Sequence, residues 1–501
     1  MDLLLAGGTV VSEYGESICS VGIEGERIAY VGSASLAPPA AKVVDCTGRY
    51  VLPGLIDPHW HIGQQPGPPP PTERWLADVG PETGAAARGG VTTVFSMYAR
   101  QAPYVPIVRQ LIEWGNEGSF VDFNFHPILQ SAEHIAEIDE LYAMGVTSYK
   151  FFFDAYKGWE GDQIALHPVD AGLLHRGLVA TAKHGDAVAL IHAENQDLIY
   201  ELQEIARKSG RNDLAVWADS RPGIVELTKA YEAIQIAKFA GAALYIVHIG
   251  AAEVADLVEQ ERRAGHRIFG ETCPHYLTHH QDMEDTIGAW GKVNNAIKRP
   301  EDAERLWRAI QTGGITNSGT DHVCWSRADK EQGGGKFQNI WRSMPGIVGG
   351  TEHWLPAMWT DGVLRGRITP SDLVRVTSTA NAKCFGLYPR KGVIAVGSDA
   401  DIVVFDPTRK VKVDPSTFYA SEAASTWSIY EDWEFQGMPV RTYVRGKLVA
   451  EDGKLSGRPS GKYIPRPVGA GQPEGSAPEK VAAHGGKTAN GRRESRSHRP
   501  G

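Results

Sequence analysis

Several things are scarce in this sequence, and each shortage closes a class of function. Cysteine is one: five residues in 501, at positions 19, 46, 273, 324 and 384, odd in number and with no CxxC pair. A disulfide framework is therefore not expected, and the thiols are read as reduced. No hydrophobic run approaches the length of a bilayer crossing, and the apolar start Met1-Asp-Leu-Leu-Leu carries an acid where a secretory leader needs basic residues. The expectation is a cytoplasmic protein with no membrane partner. A surplus of positive charge is missing too: 51 Lys and Arg face 60 Asp and Glu, a net charge of −9, which gives no footing for nucleic acid.

What is present is an ordinary globular balance, 42% hydrophobic and 22% charged, in a chain too long for one ordinary domain. Residues 1–52 and 390–455 show short alternating runs with glycine turns, such as Val21 to Val31 and Val440 to Val449, and are expected to pair into one accessory β-sandwich. Between them, residues 53–389 alternate strand-like and helical stretches. The strand-like runs are Val51–Asp57, Val91–Phe95, Val121–Phe125, Val146–Phe153, Ala187–His192, Ala243–His248, Arg267–Gly270 and Ile315–Asp321. Eight β-then-α units are the signature of an α/β fold of the (β/α)8 TIM-like barrel type, whose active site sits at the carboxyl ends of the strands. The run Gln64 to Pro71 holds four successive prolines and reads as a stiff pocket wall. Residues 456–501 turn rich in Gly, Pro, Ser, Lys and Arg, with nine basic and three acidic side chains, and read as a C-terminal extension. Its first part is expected to lie across a neighbouring subunit and the rest to be a disordered tail.

The chemistry gathers at strand ends. In Asp57-Pro-His-Trp-His61 two histidines stand one residue apart, and in an extended chain positions i and i+2 share a face, so both imidazoles can reach one ion. An isolated HxH is as readily a loop with two histidines; what moves the reading is convergence. His192, His248 and Asp321 each close a separate apolar run. Alone, each reads as a satisfied core histidine or a capping aspartate; together they read as metal ligands. Lys150 lies inside Val146-Thr-Ser-Tyr-Lys-Phe-Phe-Phe153, a strand built for a dry interior. Desolvation drives a buried lysine toward its neutral amine, which can capture carbon dioxide as a carbamate and so offer anionic oxygens to two cations. The plainer alternative is a lysine paired with a carboxylate.

His-x-His, Lys, His, His, Asp in this order resembles the amidohydrolase superfamily with a binuclear metal centre. Local runs sharpen the resemblance to the hydantoinase and dihydropyrimidinase family: Asp57 to His61, Gly84 to Thr93, Ala155 to Gly158, Ile191 to Asn195, Glu271 to Leu277 and Gly319 to His322. The likeness runs from residue 1 to about 455. It implies that His59, His61 and Asp321 hold one metal, that His192 and His248 hold the other, and that carboxylated Lys150 bridges them. It further implies hydrolysis of a cyclic amide or imide C–N bond, with Asp321 moving the proton and Tyr156 donating to the oxyanion. Zinc is the first choice of ion, with manganese or cobalt also suited to the site. The implied partners are a small cyclic amide and further copies of the chain, as a dimer or tetramer.

Departures from the family pattern concern the substrate. The family tyrosine follows its lysine by five residues, whereas Tyr156 follows Lys150 by six. The family's Ser-Pro-Pro-Leu-Arg is Asn294-Asn-Ala-Ile-Lys298 here, and its Asn-Gly-x-Pro-Gly is Arg342-Ser-Met-Pro-Gly346, which makes Asn294 and Arg342 the candidate substrate contacts. Dihydroorotases carry an arginine two residues after the second histidine, where this chain has Gly63, so an acidic ring is disfavoured. Allantoinase chemistry stays open, because allantoin is itself a ureido-substituted hydantoin. A non-catalytic scaffold of the same fold drops ligands, and here every ligand position is filled. Trp60, Phe152, Phe153 and Trp325 stand near the mouth and are expected to supply an apolar wall.

Overall fold

The computed structural model describes residues 1–63, 71–153, 167–422 and 424–466. The expectations for Gln64–Pro70, for Tyr156 and for the tail from residue 467 onward fall outside these residues. The strands in chain order are β1 (Leu3–Ser12), β2 (Gly15–Glu24), β3 (Arg27–Gly32), β4 (Lys42–Asp45), β5 (Tyr50–Pro53), β6 (Leu55–His61), β7 (Val91–Tyr98), β8 (Asp122–Pro127) and β9 (Ser148–Phe153). They continue with β10 (Val188–Ala193), β11 (Ala243–Ile246), β12 (Ile268–Thr272), β13 (Asn317–Ser318), β14 (His322–Val323), β15 (Ile402–Lys412), β16 (Glu434–Val444), β17 (Lys447–Glu451) and β18 (Lys454–Leu455).

The run Val51–Asp57, read as one strand, is two strands in different sheets, broken at Gly54. There the chain passes so close to β7 that an added Cβ would lie 2.2 Å from Thr92 Oγ1, so only glycine fits. Before the break, β5 joins both chain ends. It runs parallel to β1 on one side and antiparallel to β15 on the other, with Val51 opposite Val404 and Pro53 opposite Ile402. The resulting continuous sheet has the order β18-β17-β16-β15-β5-β1-β2-β3, with β4 beside β1, around a core that includes Leu5, Val21, Val51, Ile402 and Tyr443.

After the break, parallel strands make the barrel. One arc is β6-β7-β8 and the other is β9-β10-β11-β12-β13. Ile128 bridges to Lys150 across the first gap. The last stave is split: Ser318 pairs with Thr272 of β12, the chain turns at Gly319-Thr-Asp321, and His322 then pairs with Trp60 of β6. Strands β7 and β9 are buried along their whole length, as expected for VTTVFSMY and SYKFFF runs covered on both faces.

A buried charge cluster joins sheet to barrel. Lys391 Nζ reaches Asp122 Oδ2 of β8 at 2.6 Å and Asp399 Oδ2 at 3.2 Å, and also bonds Asp401; Arg445 pairs with Asp122 as well. Residues 461–466 lie along β8 of their own chain. Phe123 N donates to Lys462 O at 3.0 Å, and Ile464 N donates to Phe123 O at 2.9 Å. The Tyr463-Ile464 pair finds its apolar surface here, with Ile464 fully buried. Among the described residues no helix is long and apolar enough to cross a membrane.

Candidate metal centre

The period of two along β6 puts His59 and His61 on the barrel side and turns Trp60 outward into the core around the barrel. Asp321 arrives from the turn that splits the last stave, with φ 50 and its amide donating to His59 O at 2.9 Å. Asp57 locks that turn in place. Its Oδ1 accepts from His59 N and Thr320 N, both at 3.1 Å, and its Oδ2 accepts from Thr320 Oγ1 at 2.6 Å. As a result Asp321 Oδ1 lies 3.0 Å from His59 Nε2 and 3.3 Å from His61 Nε2. The three donor atoms lie within 4.8 Å of one another, as one divalent ion requires.

The second group stands beside the first. The rings of His59 and His248 are 5.3 Å apart, and those of His248 and His192 are 4.6 Å apart. His192 Nε2 donates to Glu194 Oε2 at 3.1 Å, which turns its Nδ1 toward His248 Nε2 at 2.8 Å. Two neutral imidazoles aiming ring nitrogens at one point form a natural seat for a cation, and burial pushes both pKa values down, so both favour the neutral, ligating form. His248 lies beyond the end of β11, with φ 42, its amide donating to Glu271 Oε1 at 3.0 Å. The strand read through His248 therefore stops at Ile246.

Lys150 is a neighbour of both groups, its charge acting on His61 of the first and on His192 and His248 of the second. Its side chain is fully buried, its Nζ has no hydrogen-bond partner, and the ammonium position is 5.0 Å from the Phe152 ring centroid. Burial pushes the amine down to about 7, against the pull of the Asp321 and Glu271 carboxylates. The plain alternative of a lysine paired with a carboxylate is not what the structure shows. Burial also disfavours the His59 imidazolium, but Glu271 and Asp321 outweigh it and hold its pKa at about 9; positive charge is wanted at this point.

Glu271 is the residue that reading the sequence left out of the site. Its Oε1 accepts from His59 Nδ1 at 2.6 Å and from His248 N, and its Oε2 accepts from Tyr245 Oη at 2.8 Å, so one buried carboxylate orients a histidine from each group. A fully buried glutamate inside the apolar run Ile268–Thr272 was the signal that could have found it. His275, three residues past Thr272, is also buried with neither ring nitrogen bonded, and burial pushes it down to about 3.

The candidate substrate contacts are placed less uniformly. Asn294 is half-buried beside Asn295, whose Nδ2 donates to His248 O at 3.3 Å, so the 294–298 segment touches the histidine group. Arg342 has an exposed side chain on a turn in which its amide donates to Asn339 O. Of the four aromatics, Phe152 stacks on His192 at 5.3 Å, whereas Trp60, Phe153 and Trp325 pack into the outer core.

Residues 50–449 match the Amidohydrolase family. A D-hydantoinase of Geobacillus stearothermophilus is 32% identical over 479 residues, covering 93% of this chain and 97% of its own. An allantoinase of Deinococcus radiodurans is also 32% identical, over 473 residues, covering 93% and 98%. Among solved structures, the L-hydantoinase (dihydropyrimidinase) from Arthrobacter aurescens superposes with a TM-score of 0.83 at 27% identity, covering 93% of this chain and all of that one. Barrel, ligand order and full-length likeness agree: this chain belongs to the amidohydrolase family, in its hydantoinase and dihydropyrimidinase branch.

Proposed function

We propose that the chain opens a C–N bond of a neutral cyclic amide or imide, of the hydantoin or dihydropyrimidine type, using two divalent ions held by the residues above. His59, His61 and Asp321 would hold one and His192 and His248 the other, and Lys150, as a carbamate, would offer them anionic oxygens. The observation that carries this reading is Lys150 Nζ, fully buried, without a hydrogen-bond partner and close enough to act on histidines of both donor groups. A neutral amine attacks carbon dioxide through its lone pair, forms the N–C bond, loses a proton and becomes an anionic oxygen donor, which answers both the missing partner and the positive charge that the centre attracts. Bound there, the two ions would supply Lewis acidity and bring a water's pKa into the neutral range. Zinc is the first expectation from the nitrogen-rich donor set, with manganese or cobalt next.

The chain's own residues do the rest. Asp321, held well below the usual carboxylate range because His59 and His61 outweigh its burial, is ionised and able to take a proton and return it to the leaving nitrogen. Glu271 and Glu194 fix the tautomers of His59 and His192. Tyr156 is expected to donate to the developing oxyanion, and Asn294 and Arg342 to contact the ring. The same reading expects a homo-oligomer, dimer or tetramer, in the cytoplasm.

The experiment is a joint one. Metal analysis should give about two ions per chain, and peptide mass should show one added carbon dioxide on Lys150. Turnover should appear in a screen of hydantoins, dihydrouracil, allantoin, cyclic imides and lactams. A metal-free, unmodified protein inactive across that screen would refute the reading. The allantoinase relative supports a second reading on the same centre, and the ratio of allantoin to hydantoin turnover decides between them.

A further inference from the structure

The two segments that carry the candidate ring contacts, 294–298 and 342–346, are tied to each other by a buried lysine that neither the metal centre nor the sheet-to-barrel cluster uses. Lys330, on the short helix Arg327–Glu331, is fully buried. Its Nζ donates to Lys292 O at 2.6 Å, to Met344 O at 2.8 Å and to Gly346 O at 2.8 Å. Burial pushes this amine down, and the three carbonyl dipoles oppose that push. A neutral amine has two N–H groups and a lone pair, and the lone pair would face a carbonyl oxygen, so a cradle of three acceptors selects the ammonium.

Lys292 adds a second tie. Its Nζ donates to Ser343 O at 2.5 Å and Trp341 O at 3.4 Å, and lies 4.4 Å from the centroid of the Trp217 ring. Trp217 in turn donates its Nε1 to Val293 O at 3.0 Å, and Gly346 N donates to Lys292 O at 3.1 Å. The carbonyls of residues 341, 343, 344 and 346 are therefore all held by the two lysines, and Arg342 is presented on a turn fixed on either side. Each segment also reaches one donor group. Asn295 Nδ2 donates to His248 O at 3.3 Å, and Ile347 O accepts from Val323 N at 3.1 Å, two residues beyond Asp321. An apolar side chain in place of Lys330 could fill the space but not set the register, because only directional bonds to named carbonyls do that.

We propose that Lys330, supported by Lys292, is the positioning residue of the ring site: its ammonium fixes residues 292–295 against 342–347 and so sets the width of the space open to the ring. The role rests on the reading of those two segments as the ring contacts. Lys330 acts through them, not on the ring itself.

The test uses the full-length, metal-loaded protein with hydantoin and a phenyl-substituted hydantoin as probes. Lys330→Met should raise KM for both by about 10-fold, the scale for losing a hydrogen bond to a charged group, and narrow the ratio of their kcat/KM. Metal content and kcat should stay at the wild-type level, since a rise in KM at constant kcat marks lost ring binding. Amide hydrogen exchange should quicken in 292–298 and 341–347 together. Should Lys330→Met fail to fold, Lys292→Met, which leaves the Lys330 cradle in place, should raise KM by a smaller factor and quicken exchange in 341–347. Unchanged exchange or unchanged KM in the folded variants would overturn the proposal, as would loss of metal and kcat together with KM, the mark of a merely structural role. A wild-type protein inactive on both rings, with exchange still quickened in both segments of the variant, would instead refute the ring-opening reading and leave the clamp in place.

Discussion

Two lysines in this protein are buried to the same degree and teach opposite lessons. Lys391 is 1% exposed and sits among Asp122, Asp399 and Asp401, joining the accessory sheet to β8. Lys150 is fully buried, two strand positions from the Phe152 ring, and bonds to nothing. Burial alone therefore does not mark chemistry. A buried cation surrounded by carboxylates is a clamp, because its desolvation is repaid locally. One left without a partner beside four histidines and an aspartate is a group waiting for a reaction. The surrounding architecture differs in the same sense: the clamp ties two sheets together, while Lys150 stands beside converging donors that belong to separate strands.

Substituting both lysines by methionine breaks the comparison most sharply. Lys150→Met should bring ring opening to background and strip the metal, yet leave the melting temperature of the metal-free protein unchanged or raised, since an unpaired buried amine is removed. A Lys150→Met protein with a full pair of ions and normal turnover would end the bridging role. Asp321→Asn comes next: the fold and much of the metal should persist while kcat falls by about two to four powers of ten, the range for general acid and base work. A wild-type kcat would move proton transfer elsewhere, with His322, bonded to Glu82 Oε2 at 2.8 Å, the next residue to examine.

Lys391→Met should act on the other side of the comparison. Removing one partner leaves buried carboxylates uncompensated, a loss of about 3 to 5 kcal/mol in unfolding free energy, while the protein that remains folded should keep its metal and kcat/KM. Denaturant unfolding and metal analysis on one preparation separate the two outcomes; loss of metal without loss of stability would contradict the division. Glu271→Gln is milder again. It keeps the size but weakens the acceptor that orients His59 and His248, so metal affinity should fall by about 10- to 100-fold, measured by chelator competition.

Much of this cluster was legible because its histidines and aspartate stand at or near the ends of apolar runs, a pattern that survives without knowledge of any partner strand. What was not legible is long-range. Gly54 divides Val51–Asp57 between two sheets because Thr92 of another strand leaves no room for a Cβ. His248 and Asp321 leave extended geometry because Glu271 and Asp57 hold their neighbourhoods from elsewhere in the barrel. Alternation was the local rule available for the aromatics, and applied along β9 it sends Lys150 and Phe152 inward and Phe151 and Phe153 outward, as the two separate cores record. The extension after residue 455 misled by composition: two apolar residues suffice to seat Tyr463 and Ile464 on β8.

The smallest predicted effect concerns which ring is accepted. Gly63 has φ +68, and a Cβ there would lie 2.7 Å from the Trp75 backbone nitrogen and Cβ, so the position closes against Trp75 and cannot be given an arginine without moving the backbone at Trp75. No cation is therefore available from this position for an acidic substituent, and Phe152, stacked on His192, is the aromatic that faces the centre. A phenyl- or alkyl-substituted hydantoin should be preferred over dihydroorotate. Burying such a group contributes about 1.5 to 3 kcal/mol, or about one to two powers of ten in kcat/KM. Gly63→Arg should lower the melting temperature without creating dihydroorotate turnover, because strain and the clash with Trp75 come before any new ion pair. Measured side by side on wild type and variant, a clear preference for dihydroorotate, or its appearance in a stable Gly63→Arg protein, would sink this account of the pocket while leaving the metal centre untouched.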